Sequence, residues 1–148
     1  MEKMLNESIL KQLREMFAEM KRPVKLLFFG SNSDNCDYCE QTWQLLEEMS
    51  AVSEKVTMEK FDVEVDGDTA KQYKVDKTPA IVICAQELDQ LVDYGIRIYG
   101  IPAGHEFGTL VHSVVLVSNG ESGLEPEVKT YLNNLKKPVN LQVFVTPT

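Results

Sequence analysis

Apolar residues at Leu5, Ile9, Leu13, Met16, Phe17 and Met20 keep helical spacing, which predicts an amphipathic first helix capped by Asn6 or Ser8 and stopped by Pro23. Val24 to Phe29 then runs almost unbroken as apolar residues, the pattern of a strand covered on both faces and central in its sheet. Turn residues 30–35 lead to a second helical pattern, Glu40 to Ala51, in which Cys39, Trp43, Leu46 and Met49 share one face. Val56 to Val63 reads as a strand and Thr69 to Tyr73 as a short helix. Ala80 to Ala85 is a strand interrupted by the polar run Gln86 to Gln90 and answered by Asp93 to Tyr99 as an antiparallel hairpin. Phe107, Leu110, Val111, Val114 and Val115 predict a closing helix from His105 to a stop at Asn119-Gly120.

This order makes one α/β unit with helices on both sides of a sheet, ending near Ser118. Residues 119–123 have linker composition, and Pro126 suits the first turn of a helix carrying Val128, Leu132 and Leu135. Lys136-Lys137-Pro138-Val139-Asn140-Leu141-Gln142-Val143-Phe144 then echoes Lys21-Arg22-Pro23-Val24-Lys25-Leu26-Leu27-Phe28-Phe29, each following an amphipathic helix. The echo predicts that a second copy of the unit begins here and is truncated. A lone apolar strand exposes its edges, so 141–145 is expected to dock on the first unit or to drive self-association.

Composition narrows the function classes. A net charge of -8, with 15 Lys and Arg residues scattered along the chain, argues against a nucleic-acid surface. The first 23 residues lack the apolar centre of a signal peptide, and no run has a membrane span's length, so the expectation is a cytoplasmic protein without a membrane partner. Three cysteines, an odd count, do not make a disulfide-stapled secreted scaffold.

Cys36-Asp37-Tyr38-Cys39 is the motif that carries chemistry. Two cysteines at this spacing close a small disulfide or hold a soft metal, and a strand before them with a helix after them favours redox chemistry. A structural zinc site wants four ligands, whereas only Cys84, His105 and His112 remain to supply them. The expected metal set is none, and no dissociable cofactor is required. Three readings stay open: a dithiol-disulfide enzyme, a zinc or iron-sulfur module, and a relay or interaction domain of a larger reductase.

Cys36 is expected at a helix start with Cys39 just inside it, where the unpaired N–H groups favour the Cys36 thiolate, making it the nucleophile and Cys39 the resolving thiol. Asp34, Asp37 and Glu40 oppose that thiolate by like charge. Cys84, among Ile and Val, is expected to be a buried, inert thiol. His105 is expected to cap or pack, His112 to pack or face solvent, and Glu47-Glu48 to be a solvated face.

The motif Cys36-Asp37-Tyr38-Cys39, the stretch Tyr73-Lys74-Val75-Asp76-Lys77-Thr78-Pro79-Ala80 and, most specifically, Tyr99-Gly100-Ile101-Pro102-Ala103-Gly104-His105-Glu106-Phe107 resemble the thioredoxin and glutaredoxin family. The nearer resemblance is to its two-unit protein disulfide oxidoreductases. It implies a thioredoxin-like fold, with a central mixed sheet flanked by helices and an extra N-terminal helix. The units would be a redox unit at 1–118, a linker at 119–123, and at 124–148 the first helix and strand of a second thioredoxin-like unit. It also implies that Cys36 and Cys39 are catalytic, that Pro79 is cis against the pair, and that Tyr38, Thr78 and Pro79 bind an extended substrate segment. Protein substrates with disulfides or dithiols, and a thioredoxin-reductase-like or other reductant, are the implied partners. Thioredoxins carry a buried Asp in the strand before the cysteines. Val24 to Gly30 holds no acid, so no proton acceptor for Cys39 is assigned.

Overall fold

The computed structural model describes residues 2–33 and 35–146. Asp34, one of the three expected acidic neighbours of the pair, and residues 147–148 of the second-unit echo lie outside the described residues. The elements are α1 (Glu7–Ala18), β1 (Val24–Gly30), α2 (Cys39–Ser50), β2 (Val56–Asp62), α3 (Gly67–Gln72), β3 (Ala80–Glu87), β4 (Gln90–Tyr99), α4 (His105–Asn119) and α5 (Pro126–Asn133).

The four strands form one sheet in the order β2-β1-β3-β4, with β1 parallel to β2 and antiparallel to β3. The unbroken apolar run of β1 therefore sits inside the sheet. Alternate residues serve two cores. Leu26 and Phe28 join Ile81, Ile83 and the buried faces of α1, α2 and α4, whereas Leu27 and Phe29 join Val82, Cys84 and the α3 side around Ala70 and Val75. The fold is thioredoxin-like, a mixed sheet flanked by helices, with α1 added at the N-terminus.

Asn6 caps α1, its side-chain oxygen accepting the Ile9 N–H at 2.9 Å. Met16, in the predicted apolar stripe, is exposed, because the contact face of α1 is built from Leu10, Leu13 and Phe17. Glu48 is not on a solvated face. Its carboxylate accepts the N–H groups of Met4 and Leu5 at 2.8–3.0 Å and pins the N-terminal segment to α2.

The polar run 86–90 interrupts the hairpin only at its tip. Gln86 pairs with Leu91 and Glu87 with Gln90, and Leu88 takes a positive φ of 53° in the turn. Polar residues extend both strands here because this end of the hairpin is open to solvent.

The expected strand at 141–145 is not formed: the described residues from 134 to 146 carry no strand. A strand exists only through its ladder, and no neighbouring strand of the sheet pairs with this segment. The expected docking of 141–145 is not seen in burial, since Phe144 is 88% exposed and Val145 55%, although 144–146 share the lining of an open cavity of about 630 Å³ with His105, Glu106 and Thr109. Leu141 and Val143 stay exposed, at 86% and 85%. Helix α5 forms where its pattern predicted, with no buried residue.

Candidate redox site

The site is built where β1 ends. Gly30 is the last residue of β1, and its carbonyl accepts the N–H of Val63 at 3.0 Å, tying it to the exit of β2. The next residues form a local network. The hydroxyls of Ser31 and Ser33 lie 2.7 Å apart, the N–H of Ser33 donates to the Ser31 hydroxyl, and the N–H of Cys36 donates to the Ser33 carbonyl at 3.4 Å.

Cys36 and Cys39 are joined by a disulfide with a Cα–Cα distance of 5.7 Å, inside the usual range. Helix α2 starts at Cys39, three residues later than the sequence suggests, so Cys36 precedes the helix instead of starting it. The cause is Tyr38, the N-cap residue, whose φ of 66° is left-handed and cannot continue a right-handed helix backwards. The first turn closes on Tyr38, whose carbonyl accepts both the backbone N–H and the hydroxyl of buried Thr42. Cys36 and Cys39 are both half-buried, and Tyr38 is 59% exposed.

Gly30 makes room for the pair. A Cβ at this position would stand 2.7 Å from the Phe28 ring and 3.2 Å from the Cys39 sulfur. The Phe28 ring in turn packs on Trp43 of α2 at 5.5 Å, and Lys60 lies over the Trp43 ring. A full side chain at residue 30 and the disulfide would compete for one volume.

Thr78 and Pro79 approach from the neighbouring strand. Phe29 of β1 faces Ala80 of β3, so Pro79 comes at the same end of the sheet as Gly30, and its carbonyl accepts the Gly100 N–H at 2.9 Å. Pro79 is buried, Thr78 half-buried, and the peptide bond between them is cis. Lys77 stands over the Tyr99 ring at 5.4 Å, and with Asp76, Thr78 and the α3 side it lines a cavity of about 310 Å³. Topology thus gathers Cys36, Cys39, Tyr38, Thr78 and Pro79 at one end of the sheet.

The remaining expected residues lie elsewhere. Cys84 is fully buried in the second core, and burial pushes its thiol up to about 11. His105 and His112 are exposed on α4, and the cap position falls to Gly104. Among the described residues no group of three or more His, Cys, Asp or Glu is arranged to hold a metal ion.

Two further residues shape the site. Gly30 reads in the sequence only as turn chemistry, although a glycine closing an apolar strand just before a cysteine pair is a signal of close approach. Asp62 ends β2 opposite Gly30 and accepts the N–H groups of Asn32 at 3.0 Å and Glu64 at 2.8 Å. The Glu64 N–H foremost, then against some desolvation those of Asn32 and Val65, hold its carboxyl below the usual carboxylate range. Its place beside the loop depends on the β1–β2 register, which periodicity does not supply.

Fold and disulfide together define the class: a thioredoxin-like unit carrying a Cys-x-x-Cys pair. Within that class, the chain is similar to the protein disulfide oxidoreductase of Aeropyrum pernix K1, with 32% identity and a TM-score of 0.76 over 88% of this chain and 55% of that one. It is also similar to the N-terminal domain of alkylhydroperoxide reductase AhpF from Enterococcus faecalis, with 28% identity and a TM-score of 0.78 over 90% of this chain and 62% of that one. A curated relative is the AhpF component of alkyl hydroperoxide reductase from Staphylococcus epidermidis, 26% identical over 145 residues. The match takes in 98% of this chain and 25% of that protein, so the chain spans about a quarter of the curated relative's length. No family model matches the chain.

Proposed function

We propose that this chain is a dithiol-disulfide oxidoreductase acting on protein substrates through Cys36 and Cys39. The observation that carries the reading is the half-buried disulfide at the N-terminus of α2, seated against Gly30 at the end of the central strand. In the reduced chain the Cys36 thiolate attacks a substrate disulfide. One S–S bond forms to Cys36 as the substrate bond breaks, and the leaving sulfur takes a proton. Cys39 then gives up its proton and attacks the Cys36 sulfur, releasing the second substrate thiol and leaving the pair oxidised. Two electrons pass to the substrate, and a thioredoxin-reductase-like or other reductant returns them.

Helix α2 opens at Cys39, so the unpaired N–H groups of its first turn face back along the chain, towards the side on which Cys36 precedes the helix. Tyr38, Thr78 and Pro79 form the rim against which an extended substrate segment lies, with Thr78 offering its backbone. The cytoplasm, where the pair is kept in turnover, is the compartment this chemistry fits. No helix among the described residues is long and apolar enough to cross a membrane. The redox unit is 1–118, followed by a linker at 119–123 and the start of a second unit at 124–148.

A second reading, a relay domain that passes electrons within a larger reductase, is favoured by similarity to AhpF along 98% of the chain. Trapping separates the two. Cys39→Ser should accumulate a mixed disulfide on Cys36, and the identity of its partner, a substrate protein or a reductase domain, decides between them. Failure of Cys39→Ser to trap any partner, with Cys36→Ser as the blank, would count against both.

A further inference from the structure

We propose that Asp62 is a positioning residue for the Cys36–Cys39 pair, fixing the loop after β1 so that the two sulfurs stay close when the pair is reduced. The proposal rests on the dithiol-disulfide reading and deepens it. Asp62 sits opposite Gly30 in the parallel register, at the exit of both strands. One carboxylate oxygen accepts the Asn32 N–H at 3.0 Å and the other the Glu64 N–H at 2.8 Å, so one anion ties the loop before Cys36 to the loop after β2. Asp62 is itself held, its N–H donating to the Asp66 carboxylate at 2.9 Å and its carbonyl accepting the Asp66 N–H at 2.6 Å. From Asn32 the constraint runs on through the Ser31–Ser33 hydroxyl contact to the Ser33 carbonyl that accepts the Cys36 N–H.

The oxidised chain needs this anchor least, because the disulfide already holds Cys36 beside Cys39. Reduction removes the covalent tie, and what then restricts Cys36 is its N–H bond to the Ser33 carbonyl at 3.4 Å, in a loop that Asp62 holds at Asn32. A loop ordered before the S–S bond closes loses less freedom on closing, so the anchor raises the effective concentration of one thiol at the other.

The test equilibrates the 148-residue chain with reduced and oxidised glutathione, followed by alkylation and mass counting of free thiols. In this exchange the Cys36–Cys39 bond breaks, the S–S bond of oxidised glutathione forms, and the two glutathione protons end on the cysteines. Asp62→Ala should lower the equilibrium constant for closing the pair about tenfold, equal to about 30 mV for a two-electron couple. Asp62→Asn keeps the shape and one acceptor oxygen, so a smaller fall of about threefold is expected. If Asp62→Ala does not fold, Asp62→Asn carries the measurement alone. A merely structural Asp62 would lower the urea midpoint of the variants yet leave the constant within about twofold of wild type, and that result overturns the proposal. A wild-type pair that does not exchange with glutathione at all overturns the redox reading itself, and this proposal with it.

Discussion

Gly30→Ala asks whether the disulfide and the strand end share one volume, as the geometry indicates. The added methyl would lie 2.7 Å from Phe28 Cε1, below any real Cβ contact, and 3.2 Å from the Cys39 sulfur. Neither neighbour can give way cheaply: Phe28 is 1% exposed and packs on Trp43, and Cys39 is tied to Cys36. Because residues 28 and 30 project from the same face of β1, the methyl enters the larger core, where overpacking costs roughly 1 to 3 kcal/mol. At about 3 °C per kcal/mol for a chain of this size, Tm should fall by about 3 to 9 °C. The assay is urea and thermal unfolding of the oxidised protein. Phe28→Leu in the Gly30→Ala background should recover part of the loss, giving a coupling of about 1 kcal/mol. A Gly30→Ala cost below about 0.5 kcal/mol, with no coupling to residue 28, would refute the packing argument.

The Cys84 thiol, ordinarily near 9 and pushed up to about 11 by burial, keeps its proton in the folded chain after the unfolded chain has lost it. Its contribution to stability is therefore full below pH 9 and falls as pH rises towards 11, and in unfolding titrations Cys84→Ala should flatten that part of the slope. Native Cys84 should also resist alkylation that reaches it after unfolding. Arg97 grips both oxygens of Asp93 at 2.9 and 2.7 Å and donates to the Tyr73 carbonyl, so Arg97→Lys should cost about 1 to 2 kcal/mol in urea. The Arg97 hydrogen bonds hold the Asp93 carboxyl below its usual range, so this contribution is present above the unfolded carboxylate's pKa and is lost as pH falls through the lower folded one. Deleting residues 124–148 removes a helix with no buried residue and a segment without a ladder, so Tm should move by no more than about 2 °C. A larger fall would show that the segment belongs to the first unit.

Much of the fold was legible because the apolar patterns are unusually clear. The run Val24 to Phe29 marks a strand buried on both faces, and α1 and α4 carry their stripes at helical spacing. The cysteine pair was legible through its spacing and its strand-before, helix-after setting. What escaped depends on backbone and tertiary detail. Tyr38 carries no sign of a left-handed N-cap, which alone moves the helix start from Cys36 to Cys39. Glu48 reads as solvated until the N-terminal segment folds over it, and Asp62 acquires its loop partners only through the register of β1 on β2. Residues 141–145 show the opposite failure, a strand pattern without a neighbouring strand to pair with.

Reduction of insulin disulfides by dithiothreitol, followed with and without the chain, reads the chemistry of the Cys36–Cys39 pair itself. The wild-type chain should accelerate the reaction and Cys36→Ser should return it to the uncatalysed rate, while Cys84→Ala should leave the acceleration intact. Equal rates with wild type and Cys36→Ser would show that the pair does not carry dithiol-disulfide exchange.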